Sequence, residues 1–321
     1  MAEPVRVDNS ILRIVAECST QVLIRYHHGY TSSEDRAELR AGSALHAALA
    51  AYLDPIPPIL PDDETASDRQ SVSPMAVFTR EYRKWAEDNV ASTDRLSWPN
   101  TSRILAAWLD THPLASLPFV TKHVEIGFTF PLADDITFCG RLDAIGEGRE
   151  DGALYVVEHK STSNMSPWWL ARYRMDSQLS GYIRGAQEHL GGERVVGAIL
   201  NGIELKKLPD SDRKCDKHAV HYAECGHLHA RAQMIAVSRT PQQLVQWEKT
   251  ALHLARKWQD LLTRFPRLED IQRVRMQGMF SGACRGCPAQ DWCAVDRPLD
   301  RLTTMMTYHP WEPYPVTEPA P

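Results

Sequence analysis

The chain has 321 residues, 43% of them hydrophobic and 24% charged, a balance that excludes wholesale disorder and suits one enlarged domain or two. Its formal net charge of −5, from 36 Lys and Arg against 41 Asp and Glu, excludes a globally basic nucleic-acid coat. Any nucleic-acid binding must come from a local cleft. The longest apolar runs, such as 47–53 and 195–200, are far short of a bilayer span, and Glu3, Arg6 and Asp8 precede any apolar stretch, unlike a secretory signal.

In chain order, residues 9–30 read as a short element bearing Cys18 and ending in an aromatic, His-rich run. Residues 33–52 read as a helix, with Ser33 as cap and Glu34 and Asp35 in its first turn. Residues 54–74, with five prolines, read as a surface loop, followed by helices over 75–89 and 101–111. The period then changes to alternation: strands are expected over 120–130, 136–145 and 154–159. One helix over 167–190, a strand over 195–203, and a returning strand over 218–222 follow. The stretch 227–264 reads as a long helix restarting at Thr240-Pro241, and the Pro-rich tail after Asp296 reads as poorly packed. The order implies an α/β core, a mixed sheet flanked by helices, with helical additions at both ends. The corresponding regions are 1–115, N-terminal and helical; 116–225, the core; 226–296, C-terminal and helical; and 297–321, the tail.

The most informative segment runs from Gly140-Arg141-Leu142-Asp143 to Glu158-His159-Lys160. In a strand Glu158 and Lys160 share one face and His159 takes the other, and a hairpin brings Asp143 beside Glu158. Two carboxylates and an ammonium at one sheet edge suit a hard, oxygen-seeking cation and phosphodiester hydrolysis. The competing reading is a surface ion pair, against which Val156 and Val157 place the strand in a core.

These residues resemble the RecB-type branch of the PD-(D/E)XK nuclease superfamily, whose restriction-endonuclease-like core is the fold the resemblance implies. Gly42 to His46 resembles that branch's helical G-x-x-x-H motif, Glu125 matches an acidic residue of its first core strand, and Gln178 to Tyr182 resembles its Q-x-x-x-Y helix. The resemblance implies that Asp143 and Glu158, with the His159 carbonyl and His46, hold Mg²⁺ or Mn²⁺. It implies that Lys160 positions or activates water, and that Gln178 and Tyr182 position substrate or lysine.

Seven cysteines, an odd number without an export signal, argue for a reducing, cytoplasmic compartment rather than a disulfide framework. Cys284-x-x-Cys287-x₅-Cys293 places three thiols on a tight loop, with zinc or a cubane cluster both open on spacing alone. One cysteine before the nuclease core and three after it is the layout of AddB-type and CRISPR-associated iron–sulfur nucleases. The resemblance therefore implies a [4Fe-4S] cluster on Cys18, Cys284, Cys287 and Cys293, joining the two ends of the chain. Cys139 reads as a buried strand residue; Cys215 and Cys225, with nearby histidines, fit no metal module well.

Trp168, Arg172 and Arg174 interleave aromatic and basic groups, suited to single-stranded DNA or equally to a helix packed on the sheet. Arg141, Arg184, Arg273, Arg275 and Arg285 are weaker phosphate-contact candidates. The expectation is a metal-dependent DNA exonuclease acting on single strands or free ends, in recombination, repair, phage DNA metabolism or CRISPR adaptation. The rival is a non-cleaving DNA-end-binding scaffold with a structural iron–sulfur or zinc site. The chain carries no G-x-x-x-x-G-K-[ST] phosphate loop, so unwinding would fall to a helicase or other recombination partner.

Overall fold

The computed structural model describes residues 3–32, 37–54, 73–84, 95–207, 214–215, 219–221 and 231–316. Strand β1 (Val5–Val7) leads into helix α1 (Asn9–Glu17), whose start is fixed by Asp8 accepting the Ile11 N–H at 2.7 Å. Cys18 breaks the helix with extended backbone, φ −156° and ψ 112°, before α2 (Ser19–Val22), a π-helical turn (Leu23–His27) and β2 (Tyr30–Ser32). Next come α3 (Ala37–Leu53), α4 (Pro74–Arg83) and α5 (Trp98–Thr111). The expected cap of α3 at Ser33 lies outside the described residues. Helix α5 starts earlier than its periodicity suggests because Ser97 accepts the Asn100 N–H and Pro99 fits the first turn.

The three expected strands are present as β3 (Phe119–Ala133), β4 (Ile136–Gly148) and β5 (Leu154–Thr162). The single helix expected over 167–190 is two, α6 (Pro167–Arg172) and α7 (Ser177–His189). Asp176 separates them. Its carboxylate accepts the Leu179 N–H at 3.1 Å, and the buried Arg239 donates to the Asp176 and Tyr173 carbonyls at 3.2 and 3.4 Å. A buried guanidinium thus satisfies the backbone that a helical break would otherwise orphan.

Strand β6 (Val195–Glu204) follows as expected, but the long helix expected over 227–264 is shorter. Residues 231–238 form β7 (Arg231–Ser238), antiparallel to β6 along eight rungs from Gly197↔Ser238 to Glu204↔Arg231. The β6 edge supplies main-chain partners that outweigh the helical preference of Ala232, Gln233 and Met234. Only then does Thr240 cap α8 (Pro241–Arg264) in a reciprocal box with Gln243. Between β6 and β7, Lys214 and His221 form an isolated antiparallel bridge; of the strand expected over 218–222, residues 219 and 220 form a bend instead, with Ala219 at φ 56°, while 218 and 222, like Cys225, lie outside the described residues.

The described part of the tail, to residue 316, is largely exposed as expected, but it contains regular elements that the sequence did not indicate. Short helices α9 (Gly278–Ser281), α10 (Gln290–Cys293) and α11 (Leu299–Met305) lead to β8 (Met306–Tyr308). This last strand pairs antiparallel with β2, returning the C-terminus to the N-terminus. The reason is local hydrophobic burial: Ile24, Trp292, Leu302 and Met306 share a small core.

In the six-stranded mixed sheet, β4 is central. Strand β3 lies antiparallel along one side of β4, while β1 and β5 share the other side, pairing with its start and its end. Strands β5 and β6 are parallel, and the crossover between them carries α6 and α7. One sheet face packs α1, α7 and α8 around Phe128, Phe138, Leu142 and Val156. The other packs α3, α4 and α5 over Phe119, Ala144, Val157 and Ile199. Strands from outside 116–225, namely β1 and β7, complete the sheet.

Candidate active site and cysteine pocket

The pairing of β4 with β5 ends at Ala144↔Val157. One step beyond, the register sets Asp143 opposite Glu158, at the point where the two strands part. The pairing of β3 with β4 runs Val124↔Ala144 and Ile126↔Leu142, which sets Glu125 opposite Asp143 on its other side. Three carboxylates therefore occupy one rung of three adjacent strands. Here the alternation also slips. Ile126 and Leu142 belong to one core, whereas Val124 and Ala144 face the other. Glu125 takes φ 51°, a left-handed backbone uncommon for a residue with a side chain. The slip turns Asp143 out of either core and into the gap between β4 and β5.

Asp143 is held from two sides. His46, from α3, brings Nδ1 within 3.0 Å of Oδ1, and the His159 N–H donates to Oδ2 at 2.7 Å. Burial alone would raise this carboxyl, but His46 and His159 more than offset it and hold it well below the usual range. His46 in turn is raised: burial opposes its charge, and Asp143 and then Glu158 outweigh burial.

Glu158 is only 2% exposed. Burial, and then the neighbouring Asp143 charge, push it up to about 7 despite Lys160. Lys160 Nζ donates to Glu158 Oε1 at 2.5 Å and to Gln178 Oε1 at 3.0 Å. Gln178 Nε2 donates to the Tyr182 hydroxyl at 2.7 Å, so one face of α7 holds the ammonium in a chain of three side chains. Burial disfavours the Lys160 charge, but Glu158 raises it and keeps it an ammonium. Glu158 Oε2 is buried and has no hydrogen-bond partner among the described residues. An orphaned carboxylate oxygen beside a second carboxylate is a position for a cation. As the side chains stand, no three His, Cys, Asp or Glu among the described residues are grouped to hold one metal ion.

The sequence reading brings together His46, Asp143, Glu158, Lys160, Gln178 and Tyr182, which the structure places in one cluster. It missed Asn201, whose Nδ2 lies 2.8 Å from His159 Nδ1 on the buried side of the sheet. A fully buried Asn in the apolar strand β6 is the signal that could have found it. Gly140 serves packing: a Cβ there would lie 2.7 Å from the Phe128 ring and 3.4 Å from Tyr182. Cys139 is buried as expected, its thiol 3.5 Å from the Val7 carbonyl.

The proposed DNA-contact residues divide. Trp168 is 85% exposed, but its neighbour Trp169 is buried in the core. Arg172 stacks over Trp169 and Tyr173 at 5.5 and 4.7 Å and donates to the Tyr173 hydroxyl at 2.6 Å. Arg174 lines a groove of about 600 Å³ between α6 and β7. Arg141 pairs with Glu125 at 3.1 Å, Arg184 with Glu248 and Arg273 with Asp270. A second cleft, about 670 Å³, has Lys160 and Gln178 in its wall with Arg13, Arg172 and Tyr173.

Cys18, Cys284, Cys287 and Cys293 all line a single cavity of about 210 Å³ between α2 and the C-terminal short helices. Gly278 is its cradle: a Cβ there would lie 3.2 Å from Cys284 Sγ and 3.3 Å from Cys18 Sγ. Burial, then the other three thiols in turn, push the Cys293 thiol up to about 11. Cys215 is buried elsewhere; of its suggested partners, His221 forms the backbone bridge to Lys214, and Cys225, His218, His227 and His229 lie outside the described residues.

No helix among the described residues is long and apolar enough to cross a membrane. No curated protein is significantly similar to this chain. Among solved structures, SSO0001 is similar at 12% identity over 89% of this chain and 93% of that one, with a TM-score of 0.29. The family model of the PD-(D/E)XK nuclease superfamily, whose members are typically nucleases using Mg²⁺ or Mn²⁺, matches residues 9–294. That span takes in both cysteine-bearing ends as well as the Asp143–Glu158–Lys160 cluster, and the chain belongs to the PD-(D/E)XK nuclease superfamily.

Proposed function

We propose that this chain is a Mg²⁺- or Mn²⁺-dependent deoxyribonuclease of the RecB-like branch, an exonuclease acting on single strands or free DNA ends in a reducing, cytoplasmic setting. The observation that carries this reading is the meeting of Asp143, Glu158 and Lys160 where β4 and β5 part. His46, Asp143, Glu158 and the His159 carbonyl would hold the ion, and the unpartnered Glu158 Oε2 fits that donor set. When bound, such an ion supplies Lewis acidity at the scissile phosphate.

The chain's own groups do the rest. Lys160 is an ammonium positioned to orient the attacking water and offset charge on the phosphate. Gln178 fixes the Lys160 rotamer, and Tyr182 fixes Gln178. The cleft beside Lys160 gives a strand access to that amine. A non-cleaving scaffold would have no use for a buried acid and ammonium held this closely, since such pairs are costly to bury.

The four thiols line one largely apolar cavity of about 210 Å³. Their spacing suits zinc or a cubane cluster alike, and the layout of one cysteine before the core and three after it favours a [4Fe-4S] cluster. The cluster would tie the break after α1 to the C-terminal segment. A helicase or recombination protein remains the partner this reading calls for, since the chain lacks its own phosphate loop.

The test is degradation of end-labelled DNA by anaerobically purified protein with Mn²⁺. Degradation that disappears in Lys160→Ala supports the reading; equal rates for both proteins overturn the role given to Lys160.

A further inference from the structure

The described part of the tail builds a further cavity whose purpose packing does not explain. It measures about 610 Å³ and is lined by Arg25, Tyr26, Tyr308, His309, Trp311 and Tyr314. Its rings are set edge to face: Tyr26 and Trp311 have centroids 6.1 Å apart, and Tyr30 and Tyr308 are 5.7 Å apart. Such contacts fix the orientation of the rings without stacking them on one another. Tyr308 is 65% exposed and Tyr314 46% exposed. A tail that served only to close the fold would bury those rings.

The cavity adjoins the acidic cluster. Arg141 lies over the Tyr314 ring at 4.7 Å and binds Glu125 at 3.1 Å. Glu125 is the cross-strand neighbour of Asp143, and Arg141 is two residues from Asp143 along β4, about 7 Å of strand. Tyr314 is also within electrostatic reach of Tyr182.

The charge of the cavity selects its ligand. Arg25 lies over Tyr26 at 5.1 Å, and with Arg141 it sets two guanidinium groups on the aromatic wall. Of the acids at the rim, Asp8 is committed to the Ile11 N–H and to the Trp311 side chain, which leaves Glu312, exposed on an irregular segment. Guanidinium groups beside open aromatic faces suit phosphates joined to flat bases, and disfavour a quaternary ammonium.

We propose that Tyr308, Trp311 and Tyr314, with Arg25, form a stacking subsite that holds unpaired nucleotides of a single-stranded DNA next to the scissile phosphate. The subsite rests on the nuclease reading for its substrate class, and it gives that reading a reason to prefer unpaired strands: a duplex cannot present splayed bases to the rings. The C-terminal tail is then part of the substrate channel.

The experiment measures binding of a fluorescein-labelled oligothymidylate by anisotropy, using the full chain without added divalent ion. Tyr308→Leu and Tyr314→Leu each raise the dissociation constant roughly tenfold or more at an unchanged melting temperature. Arg25→Gln lowers the slope of log K against log salt by about 0.7, the loss of one phosphate contact. Dissociation constants within twofold of the parent for both tyrosine variants, or an unchanged slope for Arg25→Gln should the tyrosine variants not fold, overturn the subsite. Cleavage with Mn²⁺ is scored in parallel on the parent. A parent that cuts DNA while the variants bind normally removes the subsite alone. A parent that cuts nothing while the variants bind weakly removes the nuclease reading and keeps the subsite.

Discussion

Asp143 and Glu158 face each other across the first rung that β4 and β5 do not share, and the main-chain N–H next to Glu158 donates to Asp143 at 2.7 Å. The end of the ladder thus turns two carboxylates towards one opening, and Lys160 restrains the second of them. In the proposed function Lys160 orients the attacking water. Lys160→Ala is expected to lower the rate of DNA cleavage by about 10²- to 10⁴-fold. DNA affinity, measured by anisotropy, should change much less, because a single amine is one phosphate contact among several.

Glu158 also sets a pH dependence. Its folded value, about 7, lies above the ordinary carboxylate value of 4.5. Between those values the folded state binds the extra proton, so its contribution to stability declines as pH rises from about 4.5 to 7 in metal-free protein. Glu158→Gln should therefore be more stable than the parent at pH 8, by an amount on the order of 2 kcal/mol, with the gap closing near pH 4.5. Urea titrations at the two pH values check this. Adding Mn²⁺ should stabilise the parent and leave Glu158→Gln nearly unchanged.

His46 donates no backbone support to the sheet, so its loss should act on the ion rather than the fold. His46→Ala is expected to raise the half-saturating Mn²⁺ concentration about 10- to 100-fold, a size typical of disturbed metal shells. The measurement is cleavage rate against Mn²⁺, and recovery of the parent rate at high Mn²⁺ distinguishes weakened ion binding from a damaged site.

At the other end, any side chain on Gly278 would meet two of the four thiols. Gly278→Val should lower bound iron per chain and bleach a visible band near ~400 nm, as Cys284→Ser should. Iron content and absorption of anaerobic protein check both. A colourless parent that contains zinc would replace the cluster with a zinc site.

Two adjacent tryptophans should behave oppositely. Trp169 fills the core beneath β6, so Trp169→Ala should cost about 3–5 kcal/mol of stability. Trp168 is exposed, and Trp168→Ala should stay within about 0.5 kcal/mol of the parent. Chemical denaturation of both variants is the check.

The chemistry was largely legible in the sequence. Strand alternation put Glu158 and Lys160 on one face, helical spacing put Gln178 and Tyr182 on another, and spacing put three thiols on one loop, with Cys18 added only by the family resemblance. These are local patterns, set by the periods of strand and helix. The errors fell where long-range partners decide. Residues 231–238 are a strand because β6 offers an open edge. The break at Asp176 persists because Arg239, sixty-three residues away, satisfies its carbonyl.

By itself, then, the amino-acid order determined which groups could do chemistry and which of them share a face. The tertiary structure alone decided that the Pro-rich tail folds back, that Tyr314 covers Arg141, and that Glu125 joins the acidic rung. Those relations depend on contacts between segments far apart in the chain. Their free energy comes from burial and pairing that no single segment contains.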